Sequence, residues 1–337
     1  MTGEAAEHSD DPLALARPVP AGAKLAPATI ELSDGYETPA HVYEPAAGHG
    51  PKPEPVVYLH GIQSHPGWFS GSAAALAAAG IPVVMPTRRG SGANRVARGD
   101  APSAAQLLDD VAACCRWALR RFDATRVRLV GVSWGGKLAA VFCARGRAGL
   151  DIASLTMIAP GIAPQIDVPL KQKLAIGMAL LGRSGPGRPR GTALFDIPLS
   201  DPALFTDNPE MREYLQRDAH RLHRATARFL FASSRLDAML RRKRGQVPFL
   251  GHDGAAQLGE RINSKKRYLT PFPHPTTLIL ATRDRIIDNA ATRRVVERLT
   301  GGRARIIELD GAHTMDFEPD PTGFCQALLA AHEDQQG

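Results

Sequence analysis

Aromatic residues occupy only 6% of the 337 positions, and no groove-reading helix motif is present, which argues against a nucleic-acid partner despite a net charge of +7. Cys114, Cys115, Cys143 and Cys325 show no C-x-x-C spacing and read as reduced, mostly buried thiols. Long hydrophobic runs are also missing. The longest, such as KLAIGMALLG at 173–182, fall short of the roughly 20 residues that cross a bilayer, so no transmembrane anchor is expected. The opening MTGEAAEHSDDPLALARPVP is acidic where a signal peptide needs basic residues, and it has no apolar core. Residues 1–23 are therefore expected to be a flexible leader of a cytoplasmic protein.

What is present is the composition of a folded, loop-bearing chain: 44% hydrophobic, 22% charged, with 32 Gly and 27 Pro. APATIELSDGYETPAHVYEP alternates around Asp34-Gly35 and predicts an edge hairpin. Short apolar runs then alternate with helical patterns: PVVYLHG, SGSAAALAAAG, IPVVMP, SAAQLLDDVAACCRWALRRF, RVRLVGV, KLAAVFCARG and IASLTMIAP. Such alternation implies a mostly parallel central sheet with helices on both faces. The rhythm breaks over 161–275, where Pro- and Gly-rich edges surround helix-like stretches, including NPEMREYLQRDAHRLHRATARFLFASSRLDAMLRR. It resumes with TTLILATRD, NAATRRVVERL, ARIIELDG and PTGFCQALLAAHE. The expected layout is a core over 24–160 and 276–337, with 161–275 as an inserted helical cap.

Charge is divided unevenly between these parts. Residues 161–275 hold 19 Lys plus Arg against 10 Asp plus Glu, whereas the rest holds 22 against 24. The basic excess thus belongs to the insertion, where it suits an anionic ligand or peripheral contact with a phospholipid surface.

The stretch VRLVGVSWGGKLAAVF at 127–142 fits two patterns. Gly131, Gly136 and Lys137 satisfy most of a phosphate-binding G-x-x-x-x-G-K-[ST] loop, but the final position is Leu138, which has no magnesium ligand. Lys137 is then expected to be an ordinary first-turn helix residue. Gly131, Ser133 and Gly135 complete G-x-S-x-G, the turn that presents a nucleophilic serine.

A serine hydroxyl needs a neutral imidazole to take its proton and a carboxylate to orient that imidazole. His313, in the loop after the last predicted strand, is the candidate base, and Asp284, directly after the strand TTLILA, the candidate acid. Asp288 is better placed to cap the following helix. Asp310 and Asp316 flank His313 in sequence, a poor position for its orienting partner. His252 and His274 read as surface or loop residues. The backbone N–H groups of Ile62, after His60-Gly61, and of Trp134 are the candidate oxyanion hole, with His60 supporting that loop. Substrate-binding residues are not identifiable, and no metal or organic cofactor is implied.

The order HGI, RRGSG, GVSWGG, ATRDRIID and GAH resembles the α/β-hydrolase superfamily over roughly residues 25–335. The insertion after IAPG resembles the monoacylglycerol lipase, lysophospholipase and serine aminopeptidase-like branch. The resemblance implies an α/β-hydrolase fold, Ser133 as nucleophile, Asp284 and His313 as its partners, and hydrolysis of a small-molecule carboxylic ester. Thioester or amide cleavage, acyl transfer or cyclisation use the same triad. A non-catalytic binding protein would usually show a broken one. Thr87 departs from the Asp many relatives have before R-G, which questions the packing of that loop. Apolar segments of the insertion, PLKQKLAIGMALLG and FLFA, are expected to line an acyl pocket or to form the core of the cap.

Overall fold

The computed structural model describes residues 13–45, 54–145, 149–182, 189–241, 272 and 274–333. In chain order the elements are β1 (Ala23–Glu31), β2 (Glu37–Pro45), β3 (Val56–Leu59), α1 (Ser70–Ala78), β4 (Val83–Pro86), α2 (Ala104–Phe122), β5 (Arg126–Val132), α3 (Trp134–Arg145) and β6 (Asp151–Ile158). There follow α4 (Leu170–Leu181), β7 (Leu194–Asp196), α5 (Pro209–Arg217), β8 (Arg224–Thr226) and α6 (Ala227–Arg241). The chain closes with β9 (Thr276–Ala281), α7 (Asn289–Thr300), β10 (Arg305–Leu309) and α8 (Thr322–Glu333).

Among the described residues, eight strands form one sheet in the order β1-β2-β4-β3-β5-β6-β9-β10. The hairpin pairs antiparallel at one edge, and the strands from β4 to β10 run parallel. Their sequences explain this: VVYL, VVMP and TTLILA are buried at every position, as central strands covered on both faces must be. Each fully buried Val or Leu contributes about 1.5–3 kcal/mol, so these short runs carry much of the core's stability. Helix α2 starts where Ser103 accepts a bond from Gln106 N–H and stops at Asp123, which is left-handed at φ +49°.

Three expectations are corrected. The long helical pattern over 208–242 breaks at Asp218, whose carboxylate accepts from Trp68 Nε1 at 2.7 Å and lies 3.2 Å from His65 Nε2. Arg221 then donates to Leu199 O at 2.6 Å and to Gln63 Oε1 at 3.1 Å. These distant partners pull 218–225 out of a helix and let β8 pair with β7. Residues 13–22, expected within the flexible leader, are instead bonded to the core: Ala16 N–H donates to Gly67 O and Arg17 Nε to Asp316 O, both at 2.9 Å. Finally, α4 is neither cap core nor enclosed pocket wall along its apolar stripe. Leu170, Leu174, Met178 and Leu181 are 72%, 62%, 68% and 81% exposed, at a spacing that puts them on one face. Among the described residues, no helix is long and apolar enough to cross a membrane.

His332, near the end of α8, is buried with neither ring nitrogen partnered among the described residues. Burial, aided by the Arg128 charge, pulls its pKa down to about 3. Because the unfolded chain takes up this proton near pH 6.5 and the folded chain does not, stability is fully present above pH 6.5 and lost as pH falls toward 3. Denaturant unfolding at pH 7 and pH 4 is expected to show a loss of roughly 3 kcal/mol from this group. His332→Phe should shrink the difference by that amount; an unchanged difference would locate the acid sensitivity elsewhere.

Candidate active site

Ser133 joins the end of β5 to the start of α3 with φ +52°. The left-handed region costs a residue with a Cβ roughly 1–2 kcal/mol, so this turn is held against local preference. Ser133 N–H donates to Ile158 O at 2.9 Å, and Ser133 O accepts from Gly161 N–H at 2.7 Å and Lys137 N–H at 3.2 Å. A Cβ on Gly135 would run into the Leu59 carbonyl oxygen. Glycine there lets the elbow press against the end of β3. The next loop comes alongside the serine, since a Cβ on Gly61 would lie 3.7 Å from Ser133 Oγ.

Asp284 and His313 follow β9 and β10, so both rise from the carboxyl edge of the sheet that also carries Ser133. Their loops are joined by Thr282 N–H to Leu309 O and Arg283 N–H to Gly311 O, both 2.9 Å. Asp284 Oδ1 accepts from Ile286 and Ile287 N–H at 2.8 and 2.9 Å. Its Oδ2 accepts from His313 Nδ1 at 2.8 Å, with side chains only 0% and 2% exposed. A carboxylate at Nδ1 requires the proton there, which leaves Nε2 as the acceptor of a neutral imidazole. That Nε2 is buried without a hydrogen-bond partner among the described residues. The structure thus unites Asp284 with His313 and holds Ser133 at the same edge, with no hydrogen bond between Ser133 and His313. Phe205, in the segment after β7, stacks edge-on at 6.0 Å from the His313 ring and accepts Thr314 N–H at 2.9 Å.

The other candidates separate cleanly. Asp288 caps α7, accepting from Ala291 N–H at 2.8 Å. Asp310 pairs with Arg283. Asp316 is buried, accepts Ser72 N–H at 2.9 Å, and is pushed up to about 6 by burial. His274 is half-buried, and His252 lies outside the described residues.

His60 holds the loop after β3 from both ring nitrogens. Its Nδ1 donates to Gly61 O and its Nε2 accepts Arg88 N–H, both at 2.9 Å, while burial keeps its pKa well below the usual value. The first bond polarises the peptide unit that carries Ile62 N–H. Among the described residues, neither Ile62 N–H nor Trp134 N–H has an acceptor.

Lys137 corrects the sequence reading. It is buried rather than an ordinary first-turn residue, with Nζ 2.8 Å from Asp237 and 3.1 Å from Ser233 Oγ. Trp134 Nε1 donates to the same hydroxyl at 2.9 Å. These bonds fasten α3 to α6; the only sequence signal was the four-residue spacing of Ser233 and Asp237, which places them on one helix face. Leu138 is core. The loop with Thr87 is held otherwise: Thr87 O accepts Thr38 Oγ1 at 2.5 Å, and Arg89 grips Asp110 with two nitrogens at 2.6 and 2.8 Å.

Sequence reasoning missed Arg88. Its guanidinium carbon lies 4.6 Å from the Phe229 ring and 5.2 Å from the Trp134 ring, and its terminal amine donates to Ile62 O at 2.9 Å. Burial lowers its pKa to about 9.

A mostly parallel eight-stranded sheet with this strand order, helices between strands and a long insertion after β6 is the α/β-hydrolase fold. The chain matches the family described as serine aminopeptidase, S33, over residues 51–320, and it belongs to that family of hydrolases. Among solved structures it is similar to a monoacylglycerol lipase from Paleococcus ferrophilus, at 18% identity and TM-score 0.62 over 93% of this chain and 99% of that one. A soluble variant of monoglyceride lipase from Saccharomyces cerevisiae, bound to a substrate analog, matches at 15% identity and TM-score 0.67 over 94% and 98%. A thermophilic esterase from Thermogutta terrifontis matches at 17% and 0.59 over 93% and 100%.

Proposed function

We propose that this chain is a serine hydrolase that cleaves a carboxylic ester through an acyl-serine intermediate. The observation that carries the reading is the buried His313–Asp284 pair, with Nε2 uncommitted at the sheet edge from which strained Ser133 projects. Ser133 attacks the ester carbonyl as His313 Nε2 takes its proton, and Asp284 stabilises the resulting imidazolium. The N–H groups of Ile62 and Trp134 receive the oxyanion. The alcohol leaves with the proton from His313, which then draws a proton from water to release the acid.

Residues 161–275 act in this reading as the cap, with α6 tied to α3 through Lys137–Asp237. The exposed stripe of α4 favours lipid-like acyl substrates and peripheral contact with their assemblies. The family description names a peptidase and two of the similar structures are named as lipases, so leaving-group class is the point to test. Matched p-nitrophenyl butyrate, butyryl thioester and butyryl anilide, together with dispersed monoacylglycerol and lysophospholipid, are expected to give highest kcat/KM on the oxygen esters. Faster anilide or thioester cleavage would replace the ester reading while keeping the nucleophile.

A further inference from the structure

Among the described residues, the cations around the site are paired or saturated, with one exception. Arg89 holds Asp110 and Asp34, Arg228 holds Asp100, and Lys137 holds Asp237. Arg221 is surrounded by carbonyl oxygens and Gln63 Oε1. Arg88 has one good hydrogen bond, to Ile62 O, and a long one of 3.4 Å to Arg89 O. Its Nε is buried without a partner, and no carboxylate pairs with it among the described residues. Even partial withdrawal of a guanidinium from water is costly where a buried nitrogen, here Nε, gains neither an anion nor a hydrogen bond in place of solvent. The Trp134 and Phe229 rings return only part of that.

The position of this cation is informative. It bonds Ile62 and stacks on Trp134, the two residues whose N–H groups form the proposed oxyanion hole, and it is partly open to the surface. The cavity of about 30 Å³ beside it is walled mainly by apolar side chains, Leu32, Leu59, Leu107, Val111 and Leu138, with Asp110 also on its wall, so an anion would meet the guanidinium from its open side rather than from this cavity.

We propose that Arg88 is a specificity-determining residue that receives an anionic oxygen group, carboxylate or phosphate, on the ester substrate. This rests on the ester-hydrolase reading above. The guanidinium's planar fork suits either anion, and the aromatic rings fix its plane so that little order is lost on binding.

Two substrate pairs locate the anion. On the acyl side, mono-p-nitrophenyl glutarate is compared with p-nitrophenyl butyrate. On the alcohol side, butyryl glycerol 3-phosphate is compared with monobutyrin. The native enzyme is expected to favour the anionic member of one pair by about tenfold or more in kcat/KM, mainly through KM, the range for a charged hydrogen bond. Arg88→Gln should bring that ratio close to one, and Arg88→Lys, which keeps the charge without the fork, should leave an intermediate ratio. Reading a ratio cancels any general loss from disturbing Ile62. No preference in either pair, or a preference unchanged in both variants, overturns the proposal while neutral-ester turnover leaves the ester reading standing. Failure to turn over any ester removes both together.

Discussion

Ser133→Ala is expected to lower kcat/KM on p-nitrophenyl esters by at least about 10⁴-fold and to abolish labelling by a fluorophosphonate probe. On the proposed mechanism no acyl-enzyme forms without the hydroxyl, and the Asp284–His313 pair is left with only water to activate. The same position yields a stability readout. At φ +52° any residue with a Cβ is strained, so Ser133→Ala should keep the native stability within a few tenths of a kcal/mol, whereas glycine fits this region freely. Glycine's greater entropy in the unfolded chain subtracts from the relief. Ser133→Gly should therefore exceed Ser133→Ala by up to about 1 kcal/mol in denaturant unfolding. Ester turnover that survives in Ser133→Ala would remove this serine as nucleophile, whatever the stability series shows.

Much of this architecture could be read from sequence because buried parallel strands are apolar without interruption. TTLILA and VVYL announce themselves as central strands, and once strands are parallel their carboxyl ends share an edge. The meeting of Asp284 and His313 follows from that rule plus chain order, although 29 positions separate them. The break after α5 was not legible. Asp218 is drawn out of the helix by Trp68, 150 positions away, and local propensity carries no trace of such a partner. Lys137 and Arg88 escaped for the same reason. A basic side chain in a loop or first helical turn reads as solvated until α6 is seen lying over both. The apolar run of α4 misled in the opposite sense: its hydrophobicity implies burial, yet the observed stripe faces outward.

Asp284→Asn is the second large effect, and paired with Asp288→Asn it discriminates between two carboxylates four residues apart. The Asp284 carboxylate accepts Nδ1–H, which leaves Nε2 of the neutral ring as the acceptor that the proposed mechanism uses as base. An asparagine that turns its amide NH₂ toward Nδ1 makes that nitrogen the acceptor and puts the ring proton on Nε2, the tautomer unable to deprotonate Ser133. kcat is expected to fall by about 10⁴ near neutral pH with KM little changed, because substrate binding does not use this carboxylate. The fold should survive, since Asn retains an oxygen for the Ile286 and Ile287 N–H groups. Asp288 only caps α7 through Ala291 N–H, and asparagine caps equally well, so Asp288→Asn should stay within about twofold of native activity. Asp288→Ala should cost about 1 kcal/mol of stability without the kinetic defect. Equal losses in the two Asn variants would mean that the helix end, rather than the orientation of His313, is what Asp284 provides; the reverse order would pass the role to Asp288.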